Sequence, residues 1–86
     1  MFKLKLTARA RRELKTISKS HKIALKLIFD DIKEDPTIGK SLTRELIRKF
    51  SYRVGVYRII YTVNDKDQLI QIITAGHRAL VYSSRL

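Results

Sequence analysis

The stretch from Phe50 to Tyr82 constrains the fold most. Three short runs in it alternate apolar with polar or aromatic residues, and a turn cluster at Asn64 to Gln68 separates two of them. Alternation with period two sends successive side chains to opposite faces of a strand, so the pattern predicts a sheet containing a hairpin. In the first run Phe50, Tyr52 and Val54 point one way and Ser51 and Arg53 the other, before Gly55 permits a tight reversal. In the second, Tyr57, Ile59, Tyr61 and Val63 share a face opposite Arg58, Ile60 and Thr62; in the third, Ile70, Ile72 and Thr74 oppose Leu69, Gln71 and Ile73. Both faces of the middle run are fairly apolar, as in a central strand, and Arg58 is the exception. Leaving one member of a buried ion pair alone costs on the order of 3–5 kcal/mol, so Arg58 requires an anionic partner, internal or external. The expected arrangement puts Tyr57, Ile59, Tyr61 and Val63 under covering helices and turns Arg58 to an open face with Arg53.

The first half supplies those helices. Phe2, Leu4 and Leu6 alternate with Lys3 and Lys5, which fits a strand over residues 1–6 that joins the later sheet. Thr7 is placed to cap a helix in which Ala10, Leu14 and Ile17 form one stripe, with Arg9, Arg11, Arg12, Glu13 and Lys15 elsewhere. Ser18 to Ser20 interrupt the pattern. A second helix is predicted from about His21 to Glu34, with Leu25, Ile28, Phe29 and Ile32 as its core stripe, ended by Asp35-Pro36. His21 is read as capping or decorating the break. Thr37 to Ser41 reads as a loop, and Leu42 to Lys49 as a short helical turn or an irregular approach to the sheet. The expected class is therefore α+β: an N-terminal strand, a two-helix antiparallel hairpin, then three antiparallel strands with the helices on one face.

Eighty-six residues have material for a single hydrophobic core, so residues 1–86 are read as one domain. With no cysteine, stability must come from packing. The N-terminus has no apolar run of signal-peptide length, and no stretch of about 18 apolar residues exists, so a soluble, cytoplasmic protein without a membrane partner is expected. A net charge of +11 argues for a polyanionic partner, of which nucleic acid is the commonest; a basic solvated surface is the alternative. That charge is segregated. Residues 1–22 carry eight Lys/Arg against Glu13 and residues 37–58 carry six against Glu45, whereas residues 23–36 hold two lysines against four acids. The acids are scattered and only two histidines exist, so no metal-ligand spacing is recognisable and no cofactor is expected.

Three segments carry a family resemblance: Gly39-Lys40-Ser41-Leu42-Thr43-Arg44-Glu45-Leu46, Ser51-Tyr52-Arg53-Val54-Gly55-Val56-Tyr57-Arg58-Ile59-Ile60-Tyr61, and Gly76-His77-Arg78-Ala79-Leu80-Val81-Tyr82. Together with the element order, they make the chain similar to the RelE/ParE superfamily of toxin–antitoxin toxins, closest to its RelE-like branch. The resemblance implies a small curved sheet with active residues on the face away from the helices, and a cognate antitoxin that wraps the toxin. RelE-like members are ribosome-dependent endoribonucleases acting on mRNA, whereas ParE-like members inhibit DNA gyrase without nuclease activity. A non-catalytic RNA- or ribosome-binding protein is a further alternative.

Metal-free RNA cleavage uses the ribose 2′-OH as nucleophile, so the enzyme must orient the backbone, move two protons and stabilise the extra negative charge. Arg58 suits the phosphate clamp, because its planar fork grips two oxygens and its mid-strand position holds it rigidly. Arg78 matches the family's second active-site arginine, and Tyr82 its C-terminal tyrosine, which stacks on a base or acts as acid or base. His77 is of a residue type that moves protons in catalysis, or its neighbour Arg78 is the sole chemical player. Arg53 occupies a strand on which ribonuclease members carry lysines, and arginine is a poor proton donor. Arg44, Arg48 and Lys49 would form the RNA approach, gripping phosphates without reading sequence.

Overall fold

The computed structural model describes residues 2–43 and 47–77. The elements are β1 (Lys3–Leu6), α1 (Ala8–Lys15), α2 (Lys19–Glu34), β2 (Lys40–Ser41), β3 (Ile47–Val54), β4 (Tyr57–Asn64) and β5 (Leu69–His77). They build an α+β fold on one five-stranded sheet of order β1-β5-β4-β3-β2. β1 runs parallel to β5 and every other neighbouring pair is antiparallel.

Each helix starts where the sequence offers a cap. The Thr7 hydroxyl accepts from Ala10 N–H at 3.1 Å and donates to Ile73 O at 3.0 Å, so one side chain both opens α1 and ties it to β5. Ser18 caps α2, its hydroxyl accepting from His21 N–H at 3.4 Å. α2 therefore begins at Lys19, earlier than the interruption at Ser18 to Ser20 suggested, because a serine that breaks an apolar stripe is also a good N-cap.

The core lies between the helices and one face of the sheet. Ala10, Ile17, Leu25, Ile28, Phe29 and Ile32 from the helices cluster with Phe50, Ile59, Tyr61, Val63, Ile70, Ile72 and Ala75 from the strands. Tyr61 is fully enclosed, stacked on Phe50 with ring centroids 5.3 Å apart. Its hydroxyl donates to Pro36 O at 2.8 Å and accepts from Gly39 N–H at 3.1 Å, which pins the α2–β2 connection to the sheet. Burial pushes that phenol up to about 12, against the lowering effect of the Gly39 N–H.

Three local features depart from the expectations. β2 replaces part of the Thr37–Ser41 loop, pairing Lys40 with Ser51 and Ser41 with Phe50. The stretch read as a helical turn or an irregular approach holds the start of β3 at Ile47, whose alternation is hidden because Arg48 takes a helix-side position. In β5 the pairing passes from Ile60↔Thr74 to Tyr61↔Ile72, so Ile73 is the extra residue of a bulge. Thr74 thereby leaves the pairing phase of Ile70 and Ile72 while staying buried, and Ala75, opposite Ile59, joins the core. The β3–β4 turn is Gly55-Val56, with Gly55 at φ 57, in the left-handed region that glycine adopts without a steric penalty. Among the described residues no helix is long and apolar enough to cross a membrane.

Candidate active face

The pairing register assigns every strand residue to a face. Because Ile59, Tyr61 and Val63 of β4 are buried under the helices, Arg58, Ile60, Thr62 and Asn64 lie on the opposite face. Arg58 stands directly across from Arg53 on β3 and from Gly76 on β5. Opposed residues bring their Cβ atoms to about 4.5–5.5 Å, so both side chains leave the sheet on the same face, with a glycine, Gly76, on the other flank of Arg58. Arg53 is exposed and Arg58 half-buried, with its Nε shielded from solvent.

The same register places Lys49 on this face, opposite Thr62, and Lys40 opposite Ser51. Lys3 and Lys5 of β1 join them beside Leu69 and Gln71, since Leu4 and Leu6 pack against the core. None of the described strand positions on this face is an Asp or Glu. Two guanidinium groups on one cationic face can hold a phosphodiester through charge-assisted, bidentate hydrogen bonds.

Two residues read from the sequence as site candidates take other places. Arg48 is opposite Val63, on the helix side. Its Nε and Nη2 donate to Asp65 at 3.1 and 3.0 Å, and its guanidinium lies 5.4 Å from the Phe50 ring centroid. His77 is opposite Tyr57, which packs against the core, so its ring also turns to the helix side. There it meets His21 edge to face, with ring centroids 5.5 Å apart, while His21 Nδ1 forms a 2.6 Å hydrogen bond with the Tyr57 hydroxyl. Arg44, Arg78 and Tyr82 lie outside the described residues.

The His21–Tyr57–His77 cluster was not anticipated. No local spacing announces it, since it is assembled by the topology, which brings the start of α2 to the shared end of β4 and β5. The signal available was that the chain's two histidines fall at those two element ends. A second unanticipated interaction holds the same strand end. The single Thr74 O–H is shared between the two Glu13 carboxylate oxygens, at 2.7 and 2.8 Å, and Oε1 also accepts from Ala75 N–H at 3.3 Å. The segment leading to Arg78 is thus fastened by α1 on one side and by α2 on the other.

Known proteins share both the pattern and the architecture. A family model described as the ParE toxin of the type II toxin–antitoxin system parDE matches residues 4–82. Toxin RelG of Mycobacterium tuberculosis is 34% identical to this chain, over 94% of it and 95% of its own length. The crystal structure of the M. tuberculosis RelBE2 toxin–antitoxin complex contains a chain that is 33% identical, with a TM-score of 0.73, covering 91% of this chain and 92% of that one. The archaeal RelE–RelB complex from Pyrococcus horikoshii superposes with a TM-score of 0.79 at 24% identity, covering 90% and 94%, which is a likeness of fold. Together with the strand–helix–helix–sheet order, these matches show that the chain belongs to the ParE toxin family of type II toxin–antitoxin systems and carries the RelE/ParE fold.

Proposed function

We propose that this toxin is a ribosome-dependent endoribonuclease that cleaves mRNA without a metal, its phosphate clamp being Arg58 with Arg53. The observation that carries the reading is the direct opposition of these two arginines on the face away from α1 and α2. Like charges set directly across a strand pair disfavour one another, and a phosphate between them converts that repulsion into two charge-assisted contacts. In the reaction the ribose 2′-oxygen attacks phosphorus as its proton departs. The P–O5′ bond breaks and the leaving oxygen takes a proton, giving a 2′,3′-cyclic phosphate and a 5′-hydroxyl end. The guanidiniums stabilise the charge that builds on the phosphorane oxygens. The proton transfers are assigned to the segment after β5, where the resemblance puts Arg78 and Tyr82. His77, turned toward His21, holds the start of that segment.

A cognate antitoxin is the expected protein partner, as in the complexes formed by the structural relatives, and the cytoplasm the expected compartment. The test is purified protein added to translating ribosomes, with mapping of mRNA ends. New 5′-hydroxyl ends paired with 2′,3′-cyclic phosphates, the products of 2′-oxygen attack, are expected; intact mRNA would refute the reading. The matched family model is named for ParE, which favours a second reading as an inhibitor of DNA gyrase without nuclease activity. Inhibition of supercoiling in vitro together with intact mRNA would establish it.

A further inference from the structure

Among the described residues, the cations on the face away from α1 and α2 are not spread evenly, and their placement describes a channel. Across the sheet, one row of paired residues reads Lys49, Thr62, Gln71 and Lys5, and the next toward the β1 start reads Ile47, Asn64, Leu69 and Lys3. In the other direction lie Lys40 with Ser51, then Arg53 with Arg58. The positive charges therefore sit on the outer strands, Lys3 and Lys5 on β1 and Lys40 and Lys49 on β2 and β3. The middle strip along β4 and β5 is uncharged until Arg58 closes its far end. From β1 to β3 is three strand spacings, about 14 Å, and the four rows extend about 20 Å along the strands. A strip of that width, bordered by lysine-bearing strands on both sides, accepts one nucleic-acid strand lying flat and is narrower than a duplex. Successive rows are about 6.7 Å apart, a two-residue rise that suits the step between phosphates of an extended strand.

We infer that this face is a trough for single-stranded RNA, walled by Lys3 and Lys5 on one side and Lys40 and Lys49 on the other, which delivers the strand to the Arg53–Arg58 clamp. The inference rests on the nuclease reading for its direction, since the clamp marks the end where the scissile phosphate would sit. It adds β1 to the machinery: Lys3 and Lys5 bind RNA across the sheet from the β3 positions. The lysines grip phosphates and carry no sequence preference, while Thr62 and Gln71 on the floor offer side-chain hydrogen bonds to bases.

The experiment measures equilibrium binding of a fluorescent ten-nucleotide RNA made wholly of 2′-O-methyl residues, which cannot be cleaved, by anisotropy across a salt series. For a single strand, each lysine–phosphate pair that is removed reduces the steepness of log K against log salt by about 0.7. Lys3→Ala/Lys5→Ala is expected to reduce it by about 1.4, whereas Lys15→Ala/Lys22→Ala, which removes the same charge from exposed helix positions, leaves it unchanged. The same oligomer annealed to its complement is expected to bind more weakly than the single strand. Equal slopes for the two double variants, tighter binding of the duplex, or binding of poly-glutamate with none of RNA would each overturn the trough. Because the probe is uncleavable, these results stand apart from the nuclease reading. Wild-type protein that binds the probe as described and leaves mRNA intact on ribosomes would refute the cleavage proposal alone.

Discussion

Removing the Glu13 carboxylate should unfasten the end of β5 and cost a large share of the protein's stability. The fastening consists of the single Thr74 O–H shared between the two carboxylate oxygens and a longer bond from Ala75 N–H, with Thr74 only 4% exposed. Hydrogen bonds to a charged group contribute about 1.5–3 kcal/mol, and a buried donor left without a partner costs about 1–3 kcal/mol, so Glu13→Ala should destabilise by about 2–4 kcal/mol. For a domain of this size that lowers Tm by roughly 10–25 °C. The neighbouring Arg9 ion pair cannot account for such a loss. It spans 3.5 Å one helical turn away, with the arginine side chain 46% exposed, and exposed pairs of this kind contribute about 0.3–0.5 kcal/mol. Urea denaturation of Glu13→Ala, Arg9→Ala, Thr74→Val and the Glu13/Thr74 double variant separates the terms, and hydrogen exchange at the Ala75 amide reports the strand end directly. A Glu13→Ala cost below about 0.5 kcal/mol, or additivity of the Glu13 and Thr74 changes, would refute this role.

Two further predictions concern the Tyr61 hydroxyl. Tyr61→Phe leaves Pro36 O and Gly39 N–H without their partner and should cost about 1–2 kcal/mol in denaturant titration. The fold holds the Tyr61 proton to about 12 against about 10 in the unfolded chain, so its contribution is fully present below pH 10 and is lost as pH rises toward 12. About 2 kcal/mol of alkaline destabilisation should therefore disappear in Tyr61→Phe, as read from stability curves at pH 9 and 11.5. Gly39→Ala would put a methyl 2.9 Å from that hydroxyl and 3.0 Å from Ser51 O, and the overpacking should lower stability by about 1–3 kcal/mol in thermal melts.

Much of the fold was legible because each element buries one face. The 3.6-residue stripe of Leu25, Ile28, Phe29 and Ile32 and the two-residue alternation of Ile59, Tyr61 and Val63 both report a core boundary, and the core formed on those residues. The facing of Arg58 and Arg53 followed from the same alternation and agrees with the register. What escaped the sequence was non-local. The β5 bulge falls at Ile73, whose carbonyl accepts from the Thr7 hydroxyl at the start of α1, and nothing in the run Ile70 to Thr74 marks it. Glu13 read as one polar position on a mostly basic helix, although its carboxylate reaches 61 residues along the chain to Thr74. His77 shared a strand end with the clamp but not a face, because parity places it with Tyr57 rather than with Arg58. Arg48 read as part of a basic approach, yet Asp65 of the β4–β5 turn lies within reach and holds it.

The central claim is that Arg58 grips the phosphate to be cleaved, and primer extension on mRNA from reconstituted translating ribosomes tests it most directly. Wild-type protein should produce discrete new 5′ ends. Arg58→Ala, folded as judged by its circular dichroism, should reduce them by about 10²–10³-fold, the loss typical of removing a donor that stabilises transition-state charge. Cleavage by folded Arg58→Ala at the wild-type rate would contradict the claim.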